Sequence, residues 1–201
     1  VKGGYKVHQQ YDKHHCKPAL ECISCRQLDL SNELRELWEQ HGAWTRMTIM
    51  GIVFDLPDLP QTINRLLRNP WDFAEVFGRY YGQMVANRLG QLLTEHLTVA
   101  AELVQAAKAG DNQRVAELDR IWHRNAEEIA QLLDRINPCW SKQSWVTMLF
   151  EHLRLVAQEA VTMLQGNFQA SIDTYDMIQT QSLDMADVMW LGIIKQFPDR
   201  F

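Results

Sequence analysis

Leu37-Trp38-Glu39-Gln40-His41, Leu92-Leu93-Thr94-Glu95-His96 and Met148-Leu149-Phe150-Glu151-His152 are three versions of one pentapeptide, with histidines 55 and 56 residues apart. A second motif keeps the period. Asn69-Pro70-Trp71-Asp72-Phe73-Ala74-Glu75, Asn125-Ala126-Glu127-Glu128-Ile129-Ala130-Gln131 and Gln181-Ser182-Leu183-Asp184-Met185-Ala186-Asp187 set Asp72, Glu128 and Asp184 at intervals of 56. Two motifs sharing one period mark an internal repeat of a supersecondary unit. From about Leu30 onward apolar residues recur at three- and four-residue spacings, the pattern of an amphipathic helix rather than a strand. The fold expected is therefore all-α: a six-helix antiparallel bundle of three hairpins of about 55 residues, preceded by an irregular N-terminal arm.

The breaks place six helices at about Ser31 to Phe54, Pro60 to Tyr80, Gln83 to Ala109, Asp111 to Ile136, Ser141 to Leu164 and Asn167 to Gln196. Leu56-Pro57-Asp58-Leu59-Pro60 removes amide hydrogens, Gly110-Asp111 and Gly166-Asn167 pair a C-terminal glycine with an N-cap, and Asn137-Pro138 stops the fourth helix. The domains are an arm over 1–28 and a bundle over 29–201, with hairpins at 31–81, 83–137 and 141–197.

Within each hairpin the histidine and the acid are centred within about two residues of the turn, so they share a height some 20 Å from it. His41, His96 and His152 all lie on apolar stripes and are expected to face the core. A buried imidazole needs partners for its nitrogens, and a carboxylate at the same height is one. Bundles also build metal sites from inward-facing His, Asp and Glu. His41, Asp72, His96, Glu128, His152 and Asp184 are thus candidate ligands for iron, manganese or zinc, with Glu39, Glu95, Glu102, Glu151 and Glu159 as further oxygen donors. The Glu-x-x-His signature of di-iron helices is absent, and the second helices offer Asn69 with Asp72 and Asn125 with Glu128 at i, i+3. The competing reading is structural: each His bonds the acid of its hairpin, or a backbone carbonyl, and fixes register. A His-carboxylate pair also orients general bases, yet no nucleophile or glycine-rich phosphate loop accompanies it. His123 reads as a surface or packing residue, and Trp44, Trp71, Trp122, Trp140, Trp145 and Trp190 as core and helix-end packing.

The net charge of −5 and the lack of a basic run give no footprint for nucleic acid. No apolar stretch reaches the roughly 18 residues of a membrane span, and the first thirty residues hold no signal-peptide core. The expected location is cytoplasmic or at a cell surface. In the arm, His14, His15, Cys16, Cys22 and Cys25 match a mixed zinc site or a set of disulfides, within or between chains. The second pattern makes the arm a connector in a homo-oligomer.

Several segments together resemble an uncharacterised helical family of spore-forming Gram-positive bacteria. They are Leu37 to His41 with Trp44-Thr45-Arg46, Arg65-Leu66-Leu67-Arg68-Asn69-Pro70, Leu92 to Thr98, Asn125 to Ala130, Ile136-Asn137-Pro138, and Met185-Ala186-Asp187 leading to Gly192-Ile193-Ile194-Lys195-Gln196-Phe197-Pro198. Some members carry the label acetylglutamate kinase. That kinase is an α/β sandwich with glycine-rich nucleotide loops, and neither strands nor such loops are readable here, so no nucleotide cofactor is expected. The functional expectation is a metal-binding helical bundle, with a self-assembling structural protein of the cell or spore surface, its subunits linked by the Cys-rich arm, as the alternative.

Overall fold

The computed structural model describes residues 23–201, and these form an all-α bundle without a strand. The arm assignments to His14, His15, Cys16 and Cys22 lie outside the described residues. Cys25, the remaining arm candidate, is the first residue of α1 (Cys25–Val53) and carries an exposed free thiol. The helix begins six residues earlier than its apolar pattern because Ser24 and Gln27 form a capping box, each side chain bonding the other's backbone N–H.

The second expected helix is two helices, α2 (Leu59–Leu66) and α3 (Asn69–Tyr81). Pro70 has no N–H, and its ring would strike the carbonyl of Leu66, so the chain turns at Leu67-Arg68 and restarts. The others follow the expected spans: α4 (Gln83–Ala109), α5 (Asn112–Ile136), α6 (Lys142–Leu164) and α7 (Phe168–Gln196). Asp111, Ser141 and Asn167 cap α5, α6 and α7 by accepting from Arg114, Ser144 and Ala170 N–H groups.

Three residues with positive φ mark equivalent hairpin corners: Asp55 (φ 53°), Gly110 (φ 73°) and Gly166 (φ 74°). They are spaced 55 and 56 residues apart, like the histidines. Glycine fits the left-handed corner freely, and the first repeat uses aspartate, among the few side chains that tolerate it.

α2 and α3 both pack on α1, each helix from α3 to α6 packs on the next in sequence, and α7 returns to α1, closing a ring. α1, α4 and α6 also meet one another across the middle, so the three hairpins surround a common axis with their first helices inside. The core along that axis is drawn from all three repeats, including Leu34, Leu89, Leu92, Leu133, Leu153 and Met185, each at most 1% exposed. One tryptophan departs from the expected packing: Trp71 is 47% exposed and lies on Gly90, where a β-carbon would stand 2.9 Å from its ring. No helix among the described residues is long and apolar enough to cross a membrane.

Candidate functional site

His41, His96 and His152 sit on the three inner helices, each fourteen residues before its corner, and all are at least 95% buried. Their partners are amides. His41 Nδ1 lies 3.3 Å from Asn69 Oδ1, His96 Nδ1 2.9 Å from Asn125 Oδ1, and His152 Nδ1 3.1 Å from Gln181 Oε1. Each amide nitrogen in turn donates to a backbone carbonyl four residues before the histidine: Leu37 (2.9 Å), Leu92 (3.0 Å) and Met148 (2.8 Å). The same clasp is therefore built three times, one amide spanning one turn of the neighbouring helix.

The clasp determines the tautomer. Because the amide NH2 is committed to a carbonyl, the amide oxygen faces the ring, and the imidazole donates from Nδ1–H. Nε2 is then left as a lone pair, and no hydrogen bond reaches it on any of the three rings among the described residues. Burial pushes the imidazoles well below their usual range, to about 3 for His41 and about 4 for His96 and His152. Mutual repulsion lowers His41 and His96 further, while the amide contacts oppose the shift. At neutral pH all three are uncharged.

The rings form one layer with two indoles. His41 and His152 have ring centres 5.6 Å apart; Trp38 lies 5.3 Å from His41 and 6.2 Å from His152, and Trp122 lies 5.4 Å from His96. The indole N–H groups of Trp38 and Trp122 are buried without an acceptor. Buried donors without acceptors beside these rings call for a partner such as a water or an ion.

The acids expected beside the histidines are elsewhere. Asp72 pairs with Arg68 at 3.4 Å, Glu128 with Arg88 at 2.7 Å, and Asp184 is exposed. On α5 the buried stripe runs Trp122, Asn125, Ala126, Ile129, and a residue three past the amide falls on its solvent edge. Of the further oxygen candidates, Glu39, Glu102 and Glu151 bond Gln179, Arg114 and Arg154, and Glu95 is exposed. Glu159 alone is buried, at 1% exposure, where it pairs with Arg46; that guanidinium also reaches Ser171 Oγ at 3.3 Å and stacks on Tyr175. Burial raises the Glu159 carboxyl to about 7 against the pull of Arg46. No three His, Cys, Asp or Glu side chains among the described residues are grouped to hold a metal ion. His123 sits on the surface as expected, with its ring edge on Phe150.

The clasp and the pairing with acids predict different mutational costs. Asn125→Ala strands the His96 Nδ1–H in the core and should cost about 3 kcal/mol in a urea melt. Glu128→Ala, removing an exposed ion pair, should stay within about 0.5 kcal/mol. Equal effects would refute the amide assignment.

No protein-family model, curated protein or solved structure matches the chain.

Proposed function

We propose that the protein binds a transition-metal ion at the histidine layer, with imidazole Nε2 atoms as donors and no carboxylate in the set. The observation that carries this reading is the uniform tautomer: three buried, neutral rings, each anchored through Nδ1–H and each keeping an unclaimed Nε2. Metal-bound histidines are commonly oriented in this way, by a carbonyl on the far nitrogen. Two imidazoles on one tetrahedral ion at about 2.1 Å have ring centres roughly 5 Å apart, close to the 5.6 Å between His41 and His152. That pair is the nucleus of the site, completed by His96 or by water. Among iron, manganese and zinc, an all-imidazole set suits zinc best, because manganese favours oxygen donors.

The clasp also supports a purely structural reading, since each amide ties a histidine to a turn of the adjacent helix. The two separate on titration of chelator-treated protein with zinc. The metal reading expects about one ion per chain, a melting temperature that climbs with zinc concentration, and a shift of the Nε2 resonances of His41 and His152. Its pH response is distinctive. Surface histidines lose about fourfold in free base per residue between pH 7.5 and 6.0, whereas rings already neutral lose almost none, so core affinity should stay nearly flat. Fewer than about 0.2 ion per chain, with unmoved Nε2 resonances, would sink the proposal and leave the structural role.

A further inference from the structure

One turn from the histidine layer, on the same axis, lies a cavity of about 20 Å³. Thr45, Ala100 and Val156 line it, and these stand four residues after His41, His96 and His152 on the three inner helices. The cavity is therefore the next layer of the threefold core, opened by two small side chains, Thr45 and Ala100. Thr48 lines it too. Thr45 is 8% exposed, and its hydroxyl is buried without a hydrogen-bond partner. Thr48 donates to the Trp44 carbonyl at 2.8 Å and keeps its lone pairs.

We infer that this cavity is a binding site for one water molecule, which accepts from the Thr45 hydroxyl and donates to Thr48 Oγ1. The volume suits the guest, since a single water needs roughly 10–15 Å³ of such space and two to four polar partners. The chemistry suits it as well. Thr45 offers a donor lacking an acceptor, Thr48 Oγ1 offers lone pairs that no donor reaches, and no direct bond joins them. A water gives the Thr45 hydroxyl the acceptor it lacks, and a buried donor left dry is destabilising. The rest of the lining, including Ile49 and Val104, offers no polar atom for a larger ligand.

The test uses the full chain freed of metal by a chelator, so it is independent of zinc binding. Water-selective NOE spectra should show a long-lived water at the methyl groups of Ala100 and Val156. Thr45→Val, nearly isosteric, should abolish those cross-peaks and lower the melting temperature by several degrees. A wild-type cavity without cross-peaks, or cross-peaks that persist in the valine variant, would overturn the inference. A higher melting temperature for Thr45→Val would do so too, because a dry cavity favours the methyl group.

Discussion

Acidification from pH 7 to pH 5 is expected to remove about 3 kcal/mol of folding stability and to lower the melting temperature by roughly 6 to 12 °C. The sign follows from the direction of the shifts. Unfolded histidines take protons as pH falls through 6.5, while the folded rings, held near 3 and 4, stay neutral until far lower. Stability is thus full above the unfolded value and drains as pH drops toward the folded ones. Each ring contributes nearly 2 kcal/mol over this window, on the order of 5 to 6 kcal/mol in all. Glu159 acts in the opposite sense. Its folded carboxyl, near 7, takes a proton before the unfolded one, so acidification returns about 2 kcal/mol. Glu159→Gln should accordingly steepen the acid loss, whatever it does to stability at pH 7. Thermal melts of both proteins at half-unit pH steps would check the slopes; a flat profile for the wild type would contradict buried neutral imidazoles.

Gly192→Ala should be the most damaging small substitution, at about 3 kcal/mol or more, seen as a melting temperature lower by 6 °C or more. Gly192 lies on α7 under Trp140, and a β-carbon there would stand 1.9 Å from Trp140 Nε1 and 2.5 Å from Cε2. These are ring atoms, not the end of a flexible chain. Trp140 is 4% exposed, is flanked by Phe77, Tyr81 and Trp145, and donates its indole N–H to the Val188 carbonyl at 3.0 Å. The indole has no second place to go. Helix propensity alone predicts the reverse, since alanine outranks glycine in a helix interior by about 1 kcal/mol. A stabilised Gly192→Ala protein would show that the indole moves freely, contrary to this packing.

The repeat, the helix type and the core-facing histidines were legible because each is periodic. A threefold period of 55 to 56 residues and a 3.6-residue apolar pattern are properties of order along the chain, and they survive substitution at most positions. Helix ends were legible wherever one residue changes backbone chemistry, as at Gly110, Asn137-Pro138 and Gly166. The Ser24–Gln27 capping box and the break before Pro70 were signals of the same kind that a pattern search for apolar spacing passes over.

Which residue meets each histidine was a matter for the tertiary structure. Measured from the left-handed corners at Asp55, Gly110 and Gly166, the histidines stand fourteen residues before and the amides Asn69, Asn125 and Gln181 fourteen or fifteen after. The acids lie three residues further on. An offset of three residues is nearly one helical turn, which carries a side chain from the buried stripe to its solvent edge. Corner geometry sets the register across a hairpin, and the change from Asn to Gln in the third repeat hides the amide from motif matching. The closed threefold arrangement of α1, α4 and α6 is likewise a property of packing. Order along the chain specified three hairpins with a histidine in each, and only their mutual burial put those histidines into one neutral layer with a cavity beside it.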